Sequence, residues 1–154
     1  MPATATAAPL SIASLKAFER HADTLPLRAA VIAARIAAKA TRAEVDAYIL
    51  PVFAGFVFAD KRSGKAIASP EQLYLCDDEA ECSRFYAACD AAHRAHGHML
   101  PDGYCPALVA EEAVRVAERT FLAHVKVVLG VDFSAGQLDV RARALELMLH
   151  PPRK

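Results

Sequence analysis

The chain contains no tryptophan, only six glycines and three methionines, and its charges cancel, eighteen basic against eighteen acidic side chains. Cancelled charge removes the electropositive footprint that duplex nucleic acid demands, so nucleic acid is not an expected partner. No glycine-rich phosphate loop, Gly-x-Ser-x-Gly elbow or His-Glu-x-x-His helix occurs. The longest apolar run, Ala47 to Ala59, has 13 residues and is interrupted by Pro51 and Gly55. A membrane span needs roughly 20, so no membrane partner is expected. Met1 to Pro9 is Ala, Thr and Pro without a basic start or apolar centre, and residues 1–9 read as a disordered tail rather than a secretory leader. Four cysteines without a leader point to a reducing, cytoplasmic setting, where free thiols or metal ligation come before disulfides.

What is present favours helix. The 154 residues are 55% hydrophobic, with alanine supplying much of that share, which suits high helix propensity and close helix packing. The expected fold is all-α in the main, a compact bundle of five to seven helices forming a single domain over residues 10–150. Ser11 caps a short helix to about His21. A second helix runs from Leu27 to about Ala40, and Thr41-Arg-Ala-Glu44 has the capping-box pattern of a further start. Pro51 kinks or ends that helix. Residues 56–67 read as a small β-hairpin, with a kinked helix or a loop fitting as well. Ser69-Pro70-Glu71 opens a short helix to Leu75. Asp77 and Asp78 introduce a helix to His96 that Gly97 ends. Cys105-Pro106 opens a long one to Leu129 that Gly130 ends, and a last helix covers Ala135 to Leu149.

On the second helix Arg28, Arg35, Lys39 and Arg42 fall on one stripe, expected to be a solvated face, with an anion- or RNA-binding face as the alternative. On the long helix Val109, Val116, Phe121, Val125 and Val128 make the apolar face. Glu111 suits the dipole of the first turn, Glu118 points toward a neighbouring helix, and His124 reads as a core histidine bonded to a backbone carbonyl.

The chemistry-bearing stretch lies between Cys76 and Cys105. On a helical wheel Cys82, Cys89, His93 and His96 fall within about 60° of one another. Cys89 and His93 are one turn apart, the spacing that lets two side chains reach one ion. Cys105, at a helix start where the dipole favours thiolate, can fold back beside them. Cys89, His93, Cys105 and either His96 or His98 then form an N/S set that suits zinc. In the site as expected the metal ligands are Cys89, His93, His96 and Cys105. The set matches no zinc-finger spacing, lacking any Cys-x-x-Cys, and it contains no haem motif.

Three alternatives stand beside zinc. Asp90-x-x-His93 with Glu118 and Glu44 points to iron in a carboxylate site, although the usual pair of Glu-x-x-His motifs is missing. Cys105 as a low-pKa nucleophile points to thiol chemistry. Alanine-rich amphipathic faces with merely structural cysteines point to a homo-oligomeric assembly protein. No disulfide is expected, since Cys82 and Cys89 stand about 10 Å apart along one helix. No reaction class follows from the motifs.

Overall fold

The computed structural model describes residues 11–98, 105–131 and 138–151. The expected tail, the turn-rich stretch 99–104 and the expected start of the last helix at Ala135 lie outside them. The described residues are all-α: α1 (Ile12–Arg20), α2 (Thr24–Ala54), a 3₁₀ segment (Pro70–Leu75), α3 (Glu79–Ala95), α4 (Pro106–Leu129) and α5 (Leu138–Leu149). None of these helices is long and apolar enough to cross a membrane.

Most ends fall where the capping chemistry puts them. The Ser11 hydroxyl accepts from the Ser14 amide at 3.1 Å, and the Asp78 carboxylate from the Glu81 amide at 2.9 Å. Gly97 and Gly130 follow α3 and α4 with φ of 66° and 70°, a conformation glycine adopts without a Cβ penalty.

The helix start expected at Thr41 fails, and the hairpin expected at 56–67 is met only in part. Thr41 does not start a helix; it lies within the 31 residues of α2, and its hydroxyl donates back to the Ala37 carbonyl at 3.0 Å. Alanines at 37, 38, 40 and 43 favour helix on both sides. With the threonine hydroxyl satisfied by its own helix, nothing draws the backbone into a cap. The hairpin expected at 56–67 contracts to a single antiparallel bridge between Ala59 and Ala66, with no strand among the described residues. The Ile67 amide reaches the Phe58 carbonyl and the Asp60 amide the Lys65 carbonyl, each at 2.9 Å. The chain reverses through Gly64, whose φ is 66°.

The chain divides into two compact units, residues 1–36 with 112–154, and residues 37–111. The first unit centres on Phe18, Val31, Phe121, Val125, Leu145 and Leu149. Phe18 meets Phe121 edge to face at 6.2 Å, and both are fully buried. The arginines of α2 in this unit are not the solvated face expected. Arg28 is buried: its Nη1 and Nη2 grip Glu19 at 3.1 and 2.6 Å while Nε donates to the Met148 carbonyl at 3.0 Å. Arg35 donates twice to Glu118, at 2.9 and 2.7 Å, and pairs with Glu146 at 2.6 Å. Desolvation is matched by bidentate carboxylate contacts, the geometry in which buried arginine is tolerated.

The second unit packs Val45, Ile49, Phe58, Ile67, Leu73, Phe85, Cys89 and Ala107. Phe53, Phe56 and Phe58 surround Phe85, each at 5.5–5.7 Å. Arg42 pairs with Asp46 at 3.2 Å, Glu71 at 2.7 Å and Glu111 at 3.3 Å.

His124 belongs to the first unit, and its partner is a side chain rather than the expected carbonyl. The Thr24 hydroxyl donates its one proton to the Phe18 carbonyl at 2.7 Å. It must therefore accept from His124 Nε2–H, also at 2.7 Å. Burial, and secondarily the ring of His21 at 4.8 Å, hold His124 below its ordinary value of 6.5, against the opposing charge of Asp23. A histidine whose folded pKa is depressed takes up a proton on unfolding. Its contribution is complete above pH 6.5 and is lost as pH falls through the folded value. Melting temperature should accordingly decline between pH 7 and 5, and His124→Gln, which keeps a donor for Thr24 but cannot titrate, should flatten part of that slope. An unchanged slope in the variant would show that His124 carries none of it.

Candidate functional site

Tyr48, on the second-unit part of α2, gathers the histidines that end α3. Its hydroxyl lies 2.8 Å from His93 Nδ1 and 3.0 Å from His98 Nδ1. A phenol has one proton, so it donates to one Nδ1 and accepts from the Nδ1–H of the other. The His96 ring stacks on the Tyr48 ring at 4.1 Å and 11°, while its own Nδ1–H donates to the Ala92 carbonyl at 2.9 Å. His98 is brought back by its amide, which donates to the His93 carbonyl at 2.8 Å just after Gly97 turns the chain.

The surroundings favour the neutral forms of His93 and Tyr48. Burial, then the charges of His98 and His96, hold His93 below its usual range, although Asp90 pulls the other way. Burial pushes the Tyr48 phenol up, and the proximity of Cys105 and Glu44 adds to that. A neutral imidazole beside a protonated phenol is the result at pH 7.

Of the four expected ligands, His93 and His96 both meet Tyr48, in different ways: His93 through a ring nitrogen, His96 through its face. Cys105 is half-buried at the head of α4, where its carbonyl accepts the Leu108 amide at 3.1 Å and the Val109 amide at 3.3 Å, as a capping residue's does. Cys89 is placed differently. It is buried in the apolar cluster with Phe58 and Phe85, and its thiol is pushed up to about 11, by burial first and by Asp90 second. Among the described residues no three His, Cys, Asp or Glu side chains gather closely enough to hold a metal ion. Glu118, considered above for iron, takes two hydrogen bonds from Arg35.

The sequence reading missed Tyr48. Nothing local marks it, because its partners stand 45 and 50 residues away. The available signal was indirect: three histidines within six residues need polar partners once half-buried. Comparison with protein-family models, with curated proteins and with solved structures finds no match to this chain.

Two outcomes check the site. Tyr48→Phe should lower stability by about 1–3 kcal/mol in urea unfolding, because two imidazole nitrogens lose one shared partner. A neutral result would mean that solvent already satisfies them. In the native protein at pH 7.5, iodoacetamide should modify Cys89 last, since burial and a raised pKa both suppress its thiolate. Cys89 reacting first would show that its pocket is open.

Proposed function

We propose that this chain is a small helical metal-binding protein, with an ion of the zinc class held by His93 and His98 beside Tyr48 and completed by the Cys105 thiolate, which has to move in as the ion binds because no three such side chains gather within one ligand shell among the described residues. Iron is the alternative ion. One observation carries the reading: two imidazole nitrogens converge on a single phenol oxygen at 2.8 and 3.0 Å. Donors to a tetrahedral zinc all lie about 2.0–2.3 Å from one point, and two imidazole nitrogens that already meet at one oxygen have the least distance to turn toward a shared ion. Cys105, half-buried at the head of α4, packs against the same apolar cluster as Tyr48, which makes it the thiol at hand for a third donor. A mixed N/S set favours zinc over harder ions. A His93 held below its usual pKa ligates without first losing a proton, which removes one cost of binding at neutral pH. Relative to the site expected from sequence, His98 takes the place of His96, whose Nδ1 is occupied by Ala92, and the buried Cys89 stays outside. The cytoplasmic setting fits a ligating thiolate, and no reaction is assigned.

Protein purified without chelator should carry about one equivalent of metal, and added chelator should lower its melting temperature. An ion bound only by the folded state adds RT ln(1 + [L]/Kd), about 4 kcal/mol at a thousandfold excess over Kd. His93→Ala and His98→Ala should each abolish the response to chelator, while Cys89→Ala retains it. A wild type that contains no metal, and whose melting curve ignores both zinc and chelator, rejects the reading.

A second reading, association with identical copies, has its own observation. Val109 and Val116, seven residues apart on α4 and expected in the core, are 49% and 48% exposed. Sedimentation should then report a species heavier than one chain, shifted toward one chain by Val109→Lys with Val116→Lys. A single-chain mass at every concentration removes this reading.

A further inference from the structure

One helix of the first unit is fastened at a single corner. Of the nine residues of α1 only Phe18 is buried; Ile12, Leu15 and the others are half-buried or exposed. The chain then reverses into α2 through His21, Ala22 and Asp23, all of them exposed. Three contacts near this corner hold α1 to its neighbours. The Phe18 ring lies in the apolar cluster, edge to face with Phe121. The Phe18 carbonyl accepts from the hydroxyl of Thr24, a fully buried residue whose oxygen also bonds His124 of α4. Glu19 takes two hydrogen bonds from Arg28 of α2. His124 is central to the set. Its Nε2 lies 2.7 Å from the Thr24 hydroxyl, and its ring stands 5.5 Å from that of Phe18 and 4.8 Å from that of His21.

We propose that α1 is an acid-released latch, which leaves the core of the first unit when His124 takes up a proton between the rings of Phe18 and His21. The contacts explain why a charge is unwelcome there. An imidazolium at His124 is half-buried against an apolar ring on one side. On the other it meets His21, a second side chain of the type that charges in mildly acidic solution. Asp23 is the one charged group facing His124 that opposes this repulsion. Its side chain is 71% exposed and lies 3.9 Å from His21 Nδ1, so it serves that ring first. Glu19 and Arg28 are matched to each other and supply no counter-charge.

The direction of the switch follows. While α1 is docked, burial and then His21 hold His124 below its ordinary 6.5. Release takes Phe18 and His21 away from the ring together and returns His124 toward that value. Docking is therefore favoured in full above pH 6.5, and the preference is lost as pH falls through the docked value. A separate opening is within reach of this helix because it withdraws one buried side chain from the core. Release bares Phe18 and the part of Phe121 that it covers.

Amide hydrogen exchange on the whole chain tests the latch, with chelator present throughout so that metal occupancy plays no part. At pH 7.5 the α1 amides should be less protected than those of Val31 and Phe121. Low urea should change them little, because release exposes little surface. Between pH 7.5 and 5.5 their protection, corrected for intrinsic exchange rates, should fall about tenfold for each pH unit by which docking depresses His124. His124→Gln, which keeps a donor for Thr24, should remove that fall, and His21→Gln, at an exposed position, should shrink it. The carbon-bound ring protons of His124 in the unaltered chain should titrate with a midpoint below 6.5. Four outcomes would each overturn the proposal: α1 amides as protected as the core, α1 protection indifferent to pH, a fall that persists in His124→Gln, or a His124 midpoint at or above 6.5.

Discussion

Arg28, Arg35 and Arg42 stand seven residues apart on α2, and each is fixed by carboxylates that other elements bring to it. Arg28 holds α1 through Glu19 and α5 through the Met148 carbonyl. Arg35 holds α4 through Glu118 and α5 through Glu146. In the second unit Arg42 holds the 3₁₀ segment through Glu71 and the head of α4 through Glu111. The three differ in weight. The side chain of Arg28 is 10% exposed but that of Glu19 is 42%, so solvent screens the pair from one side, and removing Glu19 leaves a buried guanidinium held only by the Met148 carbonyl. Arg42, 40% exposed, belongs to the class of pairs that contribute about 0–1 kcal/mol each. Its role is to fix direction more than to add stability. The balanced composition thus has a structural reading: much of the positive charge on α2 is matched pair by pair.

That arrangement also marks where sequence reading stops. Helix ends were legible because capping is local: Ser11, Asp78, Gly97 and Gly130 each act on amides or carbonyls within a few residues. Thr41 misled because its pattern is local too, while what decides the outcome is whether the flanking residues prefer helix, and alanines there do. The arginine stripe was seen correctly as a stripe. Its environment was not, since the partners of Arg28 and Arg35 stand between 9 and 120 residues away. Periodicity reports which residues share a face and is silent on what meets that face.

The same division runs through the candidate site. Helical spacing aligns Cys82, Cys89, His93 and His96, and the sequence reading treats that alignment as a common fate. Phe85 and Cys89 sit in the apolar cluster, while one turn further on His93 reaches Tyr48. Cys82, in the first turn, is half-buried at the edge of that same cluster. One helix face thus serves two environments in succession: apolar core along most of its length and a polar cluster at its end.

At that end the deciding fact is a shortage of protons. The Tyr48 hydroxyl and the two Nδ1 atoms need two hydrogens to make two hydrogen bonds, one on the phenol and one on a single imidazole. If both imidazoles become Nδ1–H donors, the phenol proton loses its acceptor among them. If neither carries a hydrogen on Nδ1, one bond is missing. The neutral network is complete in only one arrangement of tautomers, or its mirror, and burial opposes the added charge that would break it. A cation bound by both Nδ1 lone pairs escapes that constraint, because both imidazoles can then carry their hydrogens on Nε2. This is the physical link between the unliganded geometry and the proposed one. The atoms that compete for a scarce proton are the atoms that the proposed ion would satisfy together.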